Sequence, residues 1–239
     1  PWCRKLSLEL DQIFRDDPNY SARKLPKIME AAARGDRIVR FGNQYVISSF
    51  LPPLPSRAFM TFLLAGLHRQ QLYSDLAYVR RAAPLSVHLC ITQRCFYHCQ
   101  HCGATLTAGQ EELDTAQWVQ VMRGLQELGV AYLAVSGGEP LLRQDMEEIL
   151  QAIDERSAVL LFTNGALLSP KRARSLKRAG LFYLAVSLDS PNPEEHNRFR
   201  GSAHAFEDAV RAIHHAREAG LYTIVSSVIY RKDLNGRHL

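Results

Sequence analysis

Residues 89–102 read Leu-Cys-Ile-Thr-Gln-Arg-Cys-Phe-Tyr-His-Cys-Gln-His-Cys, which sets Cys95, Cys99 and Cys102 in the spacing C-x-x-x-C-x-x-C. Three thiolates on one short loop can hold three irons of a [4Fe–4S] cube. A cluster used only for electron transfer takes four cysteines, so a missing fourth leaves one iron open to a substrate or cofactor. Zinc is the rival reading, because Cys90, His98 or His101 could complete a tetrahedral site with the triplet. A disulfide framework fits poorly: five cysteines is an odd number spread over a long chain, unlike a small stapled secreted domain. Cys3 and Cys90 stand outside the triplet. Within its strand pattern, Cys90 is expected to be a small buried apolar residue.

Working outward, the triplet follows a short apolar run at residues 85–91, with Val87 and Ile91, that predicts a buried strand. Strand and helix patterns then alternate. Residues 115–128 put Trp118, Val121, Met122, Leu125 and Leu128 on one helical face, and residues 130–136 predict a strand. Met146, Ile149, Leu150 and Ile153 repeat the helical spacing before a third strand at 158–163. Ser169 reads as an N-cap with Pro170 at the first helical position. A fourth strand is predicted at 183–188, a fourth helix around Phe206, Ala209, Val210 and Ile213, and a fifth strand at 223–230. Gly129, Gly180 and Gly220 each close a helical pattern just before a strand, the place of a left-handed helix end. Such repeats imply parallel strands with helices packed outside. Periodicity alone does not separate an open doubly wound sheet from a barrel.

Polar motifs recur where these strands end. Ser136-Gly137-Gly138-Glu139-Pro140 follows the second strand, Thr163-Asn164-Gly165 closes the third, and Ser187-Leu188-Asp189 closes the fourth. In a barrel of parallel strands, polar residues at carboxyl ends face the active-site mouth. Thr163, Ser187 and Asp189 fit that placement, while Asn164-Gly165 and Asp189-Ser190-Pro191 also read as ordinary turn and helix-entry loops. Paired glycines let a backbone approach a ligand closely, and the carboxylate after them suits an ammonium group.

Together the cysteine triplet and these motifs resemble the radical S-adenosylmethionine (SAM) superfamily. With His196-Asn197-Arg198-Phe199-Arg200-Gly201, they look like the branch that contains the molybdopterin-precursor cyclase and the peptide-modifying maturases related to the pyrroloquinoline-quinone pathway. The resemblance spans residues 84–235. It implies an α/β fold, a partial (βα)6 TIM-type barrel with five of six strands visible and hence incomplete at the C-terminus, carrying an N-terminal mainly helical appendage. It also implies that Cys95, Cys99 and Cys102 hold a [4Fe–4S] cluster whose open iron SAM chelates through its amino and carboxylate groups. Gly137, Gly138 and Glu139 would fix the amino group. Asn164 and Ser187 would contact other polar parts of SAM, and His101 takes the place of an aromatic residue near the adenine. His196 and Arg200 are expected to pin their loop by hydrogen bonds, with shaping of the substrate side as the alternative.

The implied reaction starts with one electron from a flavodoxin- or ferredoxin-type donor. SAM is cleaved to methionine and a 5′-deoxyadenosyl radical, which abstracts hydrogen from an unidentified peptide, cofactor or lipid precursor. The cyclase has a basic residue for its nucleotide shortly before the glycine pair; Ala134 stands here, which argues against GTP. A zinc-stabilised binding module and an inactive truncated member are the alternatives.

Residues 1–83 form the first expected domain and residues 84–239 the core. Helices are predicted at 6–14 and 21–33, a hairpin at 37–48 turning at Gly42-Asn43, a proline-rich joint at 50–55, and further helix at 56–81. A cap over one barrel end is the favoured role, ahead of substrate recognition. In 239 residues, 46% hydrophobic and 22% charged residues suit a soluble globular protein. The net charge of +5 is scattered, without the basic, aromatic-interleaved block of a nucleic-acid surface. The longest apolar run, residues 58–67, is far short of the ~20 needed to span a bilayer, and no signal sequence opens the chain. A reducing, cytoplasmic setting is expected. Pro1 at the start and Leu239 soon after a strand pattern read as the ends of a fragment.

Overall fold

The structure, a computed structural model, describes residues 38–64, 83–103 and 111–230. The helices predicted at 6–14 and 21–33, and the part of 56–81 beyond residue 64, lie outside the described residues. The chain forms two compact units. Pro1–Val87, Gly124–Tyr132 and Asp154–Ala158 make one; His88–Arg123, Leu133–Ile153 and Val159–Leu239 make the other.

In the first unit, β1 (Val39–Phe41) and β2 (Gln44–Val46) form an antiparallel hairpin that turns at Gly42-Asn43, as the sequence predicts. The proline-rich joint pairs with it: Tyr45 and Leu54 exchange two backbone hydrogen bonds of 2.5 and 2.8 Å. Ser56 then opens α1 (Arg57–Leu64), its hydroxyl accepting the Phe59 N–H at 3.0 Å. Prolines on both sides of Leu54 keep the chain extended, and the extended segment finds its partner on the hairpin edge.

The strand–helix series runs β3 (Ser86–Cys90), α2 (Thr115–Glu127), β4 (Tyr132–Ser136), α3 (Met146–Gln151), β5 (Ala158–Thr163), α4 (Pro170–Arg178), β6 (Tyr183–Ser187), α5 (Pro193–Arg200), α6 (Ala205–Glu218) and β7 (Tyr222–Ser226). The five strands make one parallel sheet in the order β3-β4-β5-β6-β7. In register, Phe162 pairs with Ala185 and Ser187 with Ser226. A doubly wound sheet reverses its order at a switch point, and this one does not. The strands therefore follow one another across the sheet in chain order, each step joined by a segment that contains a helix. Leu133, Val135, Leu161, Leu184 and Val186 are buried with Met122, Ile149, Leu150, Ala173 and Leu176 from the helical stripes. The predicted cap of α4 is present: the Ser169 hydroxyl accepts the Arg172 N–H at 3.1 Å, and Pro170 follows.

Two expectations are corrected. Residues 85–91 read as a buried strand, but β3 is a sheet edge whose residues alternate between exposed and half-buried; Ile91, just past it, is the buried one. Cys90 accordingly is exposed, not buried, with its sulfur 3.7 Å from Ser136 Oγ. The second correction is α5, which helical periodicity misses because its eight residues, Pro-Glu-Glu-His-Asn-Arg-Phe-Arg, carry almost no apolar stripe. Its ends were legible instead: Asn192 caps the Glu194 and Glu195 N–H groups, Pro193 follows, and Gly201 closes the helix.

Candidate active site

The strand ends and the cysteine loop surround one cavity of about 490 Å³ in the second unit. Cys95, Cys99, Cys102 and His101 line it from the loop, Gly137 and Gly138 from the turn after β4, Thr163 and Asn164 from β5, and Ser187 from β6. Residues as far apart in sequence as His88 and Arg200 thus meet at one place; of the residues the sequence places at the site, Glu139 and Asp189 do not line the wall.

Two stretches of backbone set the geometry. Thr92 O accepts the Gly138 N–H at 2.7 Å, and Arg94 O accepts the Glu139 N–H at 2.8 Å. The approach to the cysteine loop is so close that a Cβ on Gly137 would overlap the Thr92 carbonyl, and one on Gly138 the Arg94 carbonyl. Those neighbours are backbone and cannot swing away, so the glycine pair is required by the contact itself. Behind the loop, Glu112 Oε1 accepts from the Thr92 hydroxyl at 2.7 Å and the Gln93 N–H at 2.8 Å. Arg143 Nη1 donates to Ile91 O at 3.3 Å and Leu113 O at 3.0 Å, while its other nitrogens grip Asp145. Thr92, Glu112 and Arg143 were not singled out from sequence; no local pattern marks them, since Glu112 reaches Thr92 across 20 positions and Arg143 reaches Ile91 across 52.

Glu139 stands behind the turn. It is 1% exposed, with Oε1 accepting from Leu141 N–H (3.0 Å) and the Thr163 hydroxyl (2.8 Å), and Oε2 from Asn164 N–H (2.8 Å). Burial pushes its carboxyl above the ordinary value, and the three donors oppose that. All three partners donate, so the ionised form is the one this pocket satisfies. The carboxylate therefore ties the ends of β4 and β5 together rather than forming cavity wall.

The three cysteines are free thiols at intermediate exposure. The loop is tightened by Cys102 N–H to Cys99 O (3.1 Å) and by Tyr97 N–H to Cys95 Sγ (3.4 Å). Tyr97, buried, donates its hydroxyl to Asp208 of α6 at 2.6 Å. Burial pushes the Cys95 and Cys99 thiols up, so a bound cation would have to displace their protons. Among the described residues, no three His, Cys, Asp or Glu side chains converge as one metal ion would require.

The rest of the wall divides by chemistry. Asn164 Oδ1 accepts the Ala166 N–H at 3.0 Å, but its buried Nδ2 has no hydrogen-bond partner among the described residues. An orphan donor on a cavity wall marks a place for an acceptor from a ligand. The His101 ring stacks on Phe199 (4.7 Å between centroids, 12° between planes), which leaves one face for another planar group; burial pushes its pKa down. Asp189 is not a free carboxylate. Its side chain is 5% exposed and takes both forks of Arg200, so of its two sequence readings it has a binding partner within the protein. His88, missed in the sequence, lies on the wall with Nε2 2.7 Å from Ser136 Oγ and its ring stacked on Phe162. The strand alternation that aims it at the cavity is visible only once β3 is known to be an edge.

Parallel strands in chain order, with a triplet of thiols and a glycine turn around one cavity at their carboxyl ends, define an α/β protein with a candidate active site at the strand ends. The sequence profile of the radical SAM superfamily matches residues 89–234, and the chain belongs to that superfamily. Its enzymes work with a [4Fe–4S] cluster and SAM. The chain is 36% identical over 156 residues to a probable GTP 3′,8-cyclase of Methanosarcina mazei, covering 62% of this chain and 46% of that protein. It is 30% identical over 154 residues to a PqqA peptide cyclase of Granulibacter bethesdensis, covering 63% and 41%. The chain thus spans less than half the length of these relatives. In fold it is similar to the crystal structure of Streptococcus suis SuiB, with a TM-score of 0.55 and 19% identity over 63% of this chain and 34% of SuiB. The residues present fit the cofactors on the structure's own terms: three unpaired thiols, a turn that admits close approach, and an orphan amide share one cavity.

Proposed function

We propose that this chain carries the cofactor-binding core of a radical SAM enzyme acting on a peptide, cofactor or lipid precursor. The observation that carries the reading is the meeting of Cys95, Cys99 and Cys102 with Gly137, Gly138, Asn164 and Ser187 around one cavity. In this reading the three thiolates hold a [4Fe–4S] cluster, which with SAM and an electron from a flavodoxin- or ferredoxin-type donor supplies a 5′-deoxyadenosyl radical for hydrogen abstraction. The chain's own residues bind and orient. The Gly137-Gly138 turn receives the amino group of SAM, with the Glu139 charge fixed behind it. The unpartnered Asn164 amide and the Ser187 hydroxyl receive other polar groups of SAM, and the open face of His101 receives the adenine.

The unreversed strand order supports a partial (βα)6 barrel for residues 84–239. No helix among the described residues is long and apolar enough to cross a membrane, and a cytoplasmic setting is part of the proposal.

Anaerobic reconstitution of the chain with iron and sulfide, then reduction with SAM present, tests the proposal. Iron near ~4 per chain and 5′-deoxyadenosine that disappears in Cys99→Ala are the expected results. One tightly held zinc with no SAM cleavage would sink it in favour of a metal-stapled binding module. Cluster assembly without cleavage, in this chain and in longer forms of it, would favour an inactive relative.

A further inference from the structure

The end of α5 grips the cysteine loop through three successive residues. Phe199 O accepts the Gln100 N–H at 3.0 Å, and the Phe199 ring is the one on which His101 stacks. Gly201, at φ +63°, lies so close that a Cβ there would come 2.5 Å from His98 O. Between them, Arg200 directs Nη1 to 4.0 Å from Cys99 Sγ. That direction is fixed by the rest of its fork: Nε and Nη2 bind the two Asp189 oxygens at 2.6 and 3.0 Å, leaving Nη1 turned to the sulfur.

The support of Asp189 is itself fixed. Val228 N–H donates to Oδ1 at 2.9 Å. His196 Nδ1 lies 3.5 Å from the carboxylate but accepts the Asp189 backbone N–H at 3.1 Å. The two Arg200 contacts, at 2.6 and 3.0 Å, are the shorter ones, so Arg200 is the main partner of the Asp189 carboxylate, and His196 also props its backbone. Arg200 and Asp189 side chains are 9% and 5% exposed, where charge is weakly screened.

We infer that Arg200, clamped by Asp189, is a positioning residue that raises the reduction potential of the cluster by holding a fixed positive charge against the sulfur of Cys99. The inference rests on the proposed ligation of a [4Fe–4S] cluster by Cys99. Reduction adds one negative charge to the cluster, so a cation held beside a ligating sulfur favours the reduced form. The opposing carboxylate weakens this without cancelling it, since Asp189 binds the Nε and Nη2 edge of the guanidinium while Nη1 is the edge turned to the Cys99 sulfur. Because Phe199 and Gly201 hold the loop by backbone, the charge stays in place through the redox change.

The test is a redox titration followed by electron paramagnetic resonance on the reconstituted chain, comparing wild type with Arg200→Gln, Arg200→Lys and the double variant Asp189→Asn/Arg200→Gln. Arg200→Gln is expected to shift the reduced-to-oxidised ratio at fixed potential at least tenfold towards oxidised, about 59 mV for one electron. Arg200→Lys is expected to recover part of the shift. The double variant, which leaves no unpaired carboxylate, is expected to move in the same direction by less. Midpoints within about threefold of wild type in both glutamine variants would overturn the inference while leaving the cluster reading intact. So would failure of both to assemble a cluster that wild type holds, which would make Arg200 an assembly residue. No iron–sulfur signal in wild type would overturn the cluster reading itself and the inference with it.

Discussion

Glutamine at position 139 is close in shape to the native glutamate, and the structure gives a definite cost for it. The carboxylate meets three donors: Leu141 N–H, the Thr163 hydroxyl and Asn164 N–H. An amide offers one acceptor oxygen, so whichever way it turns, its NH2 group faces a donor. With the oxygen at the Oε1 position, the mismatch falls on Asn164 N–H, 2.8 Å away in a site 1% exposed. Losing one hydrogen bond to a charged group costs about 1.5–3 kcal/mol, and an unpaired buried donor about 1–3 kcal/mol. Burial disfavours the charge and pushes the carboxyl up, so glutamine regains part of that loss. A net destabilisation of about 2 kcal/mol follows. Urea unfolding of the iron-free chain, monitored through the buried Trp118, measures it. With a slope of about 2 kcal/mol per M, the midpoint should fall by about 1 M with the slope unchanged. Thr163→Val should be destabilising as well, because it removes one of the three donors and strands the buried Gly165 N–H that donates to the Thr163 hydroxyl at 3.0 Å. An Glu139→Gln midpoint equal to or above wild type would refute the claim that this carboxylate organises the turn.

Three further outcomes follow from the same geometry. Gly138→Ala puts a methyl group on the Arg94 carbonyl; iron content should stay near wild type while SAM binding, measured by equilibrium dialysis, weakens at least about tenfold, or 1.4 kcal/mol. For Asp145, burial raises the carboxyl, but the Arg143 fork and the Thr115 hydroxyl outweigh it and hold it below its ordinary value. A depressed folded-state value means the pair stabilises above the unfolded pKa of about 3.9 and loses that contribution as pH falls below it. Asp145→Asn should therefore be less stable than wild type at neutral pH, and the gap should shrink in unfolding curves taken at successively lower pH towards 3. Met122→Ala, at a fully buried core position of α2, should cost about 2–5 kcal/mol in denaturant unfolding.

The alternation of strand and helix was legible because each strand and most helices carry an apolar period strong enough to survive without context. Ser169-Pro170 marked the start of α4, and the Gly42-Asn43 turn marked the hairpin. Helix α5 escaped that reading because its polar sequence is held by caps and by the cysteine loop, not by an apolar stripe. The site was legible where a chemical type at fixed spacing carries the function, as in Cys95, Cys99, Cys102 and the glycine pair. Residues that act by reaching across the fold left no local trace: Glu112 under Thr92, Arg143 under Ile91, His88 on Phe162.

By itself, then, the sequence determined the order of the strands and of every described helix of the core but α5, and the short-range chemistry of the thiol loop and the strand-end turns, since both depend on neighbours within a few residues. Tertiary structure alone decided the unreversed strand order across the sheet, the edge position that exposes Cys90, and the turning of Glu139 away from the cavity to tie two strand ends. It also decided the placement of the Arg200 guanidinium against Cys99, 101 positions away. The physical reason is common to all four. Burial and hydrogen-bond partnership are set by which segments pack together, and a side chain's type does not say which distant backbone it will meet.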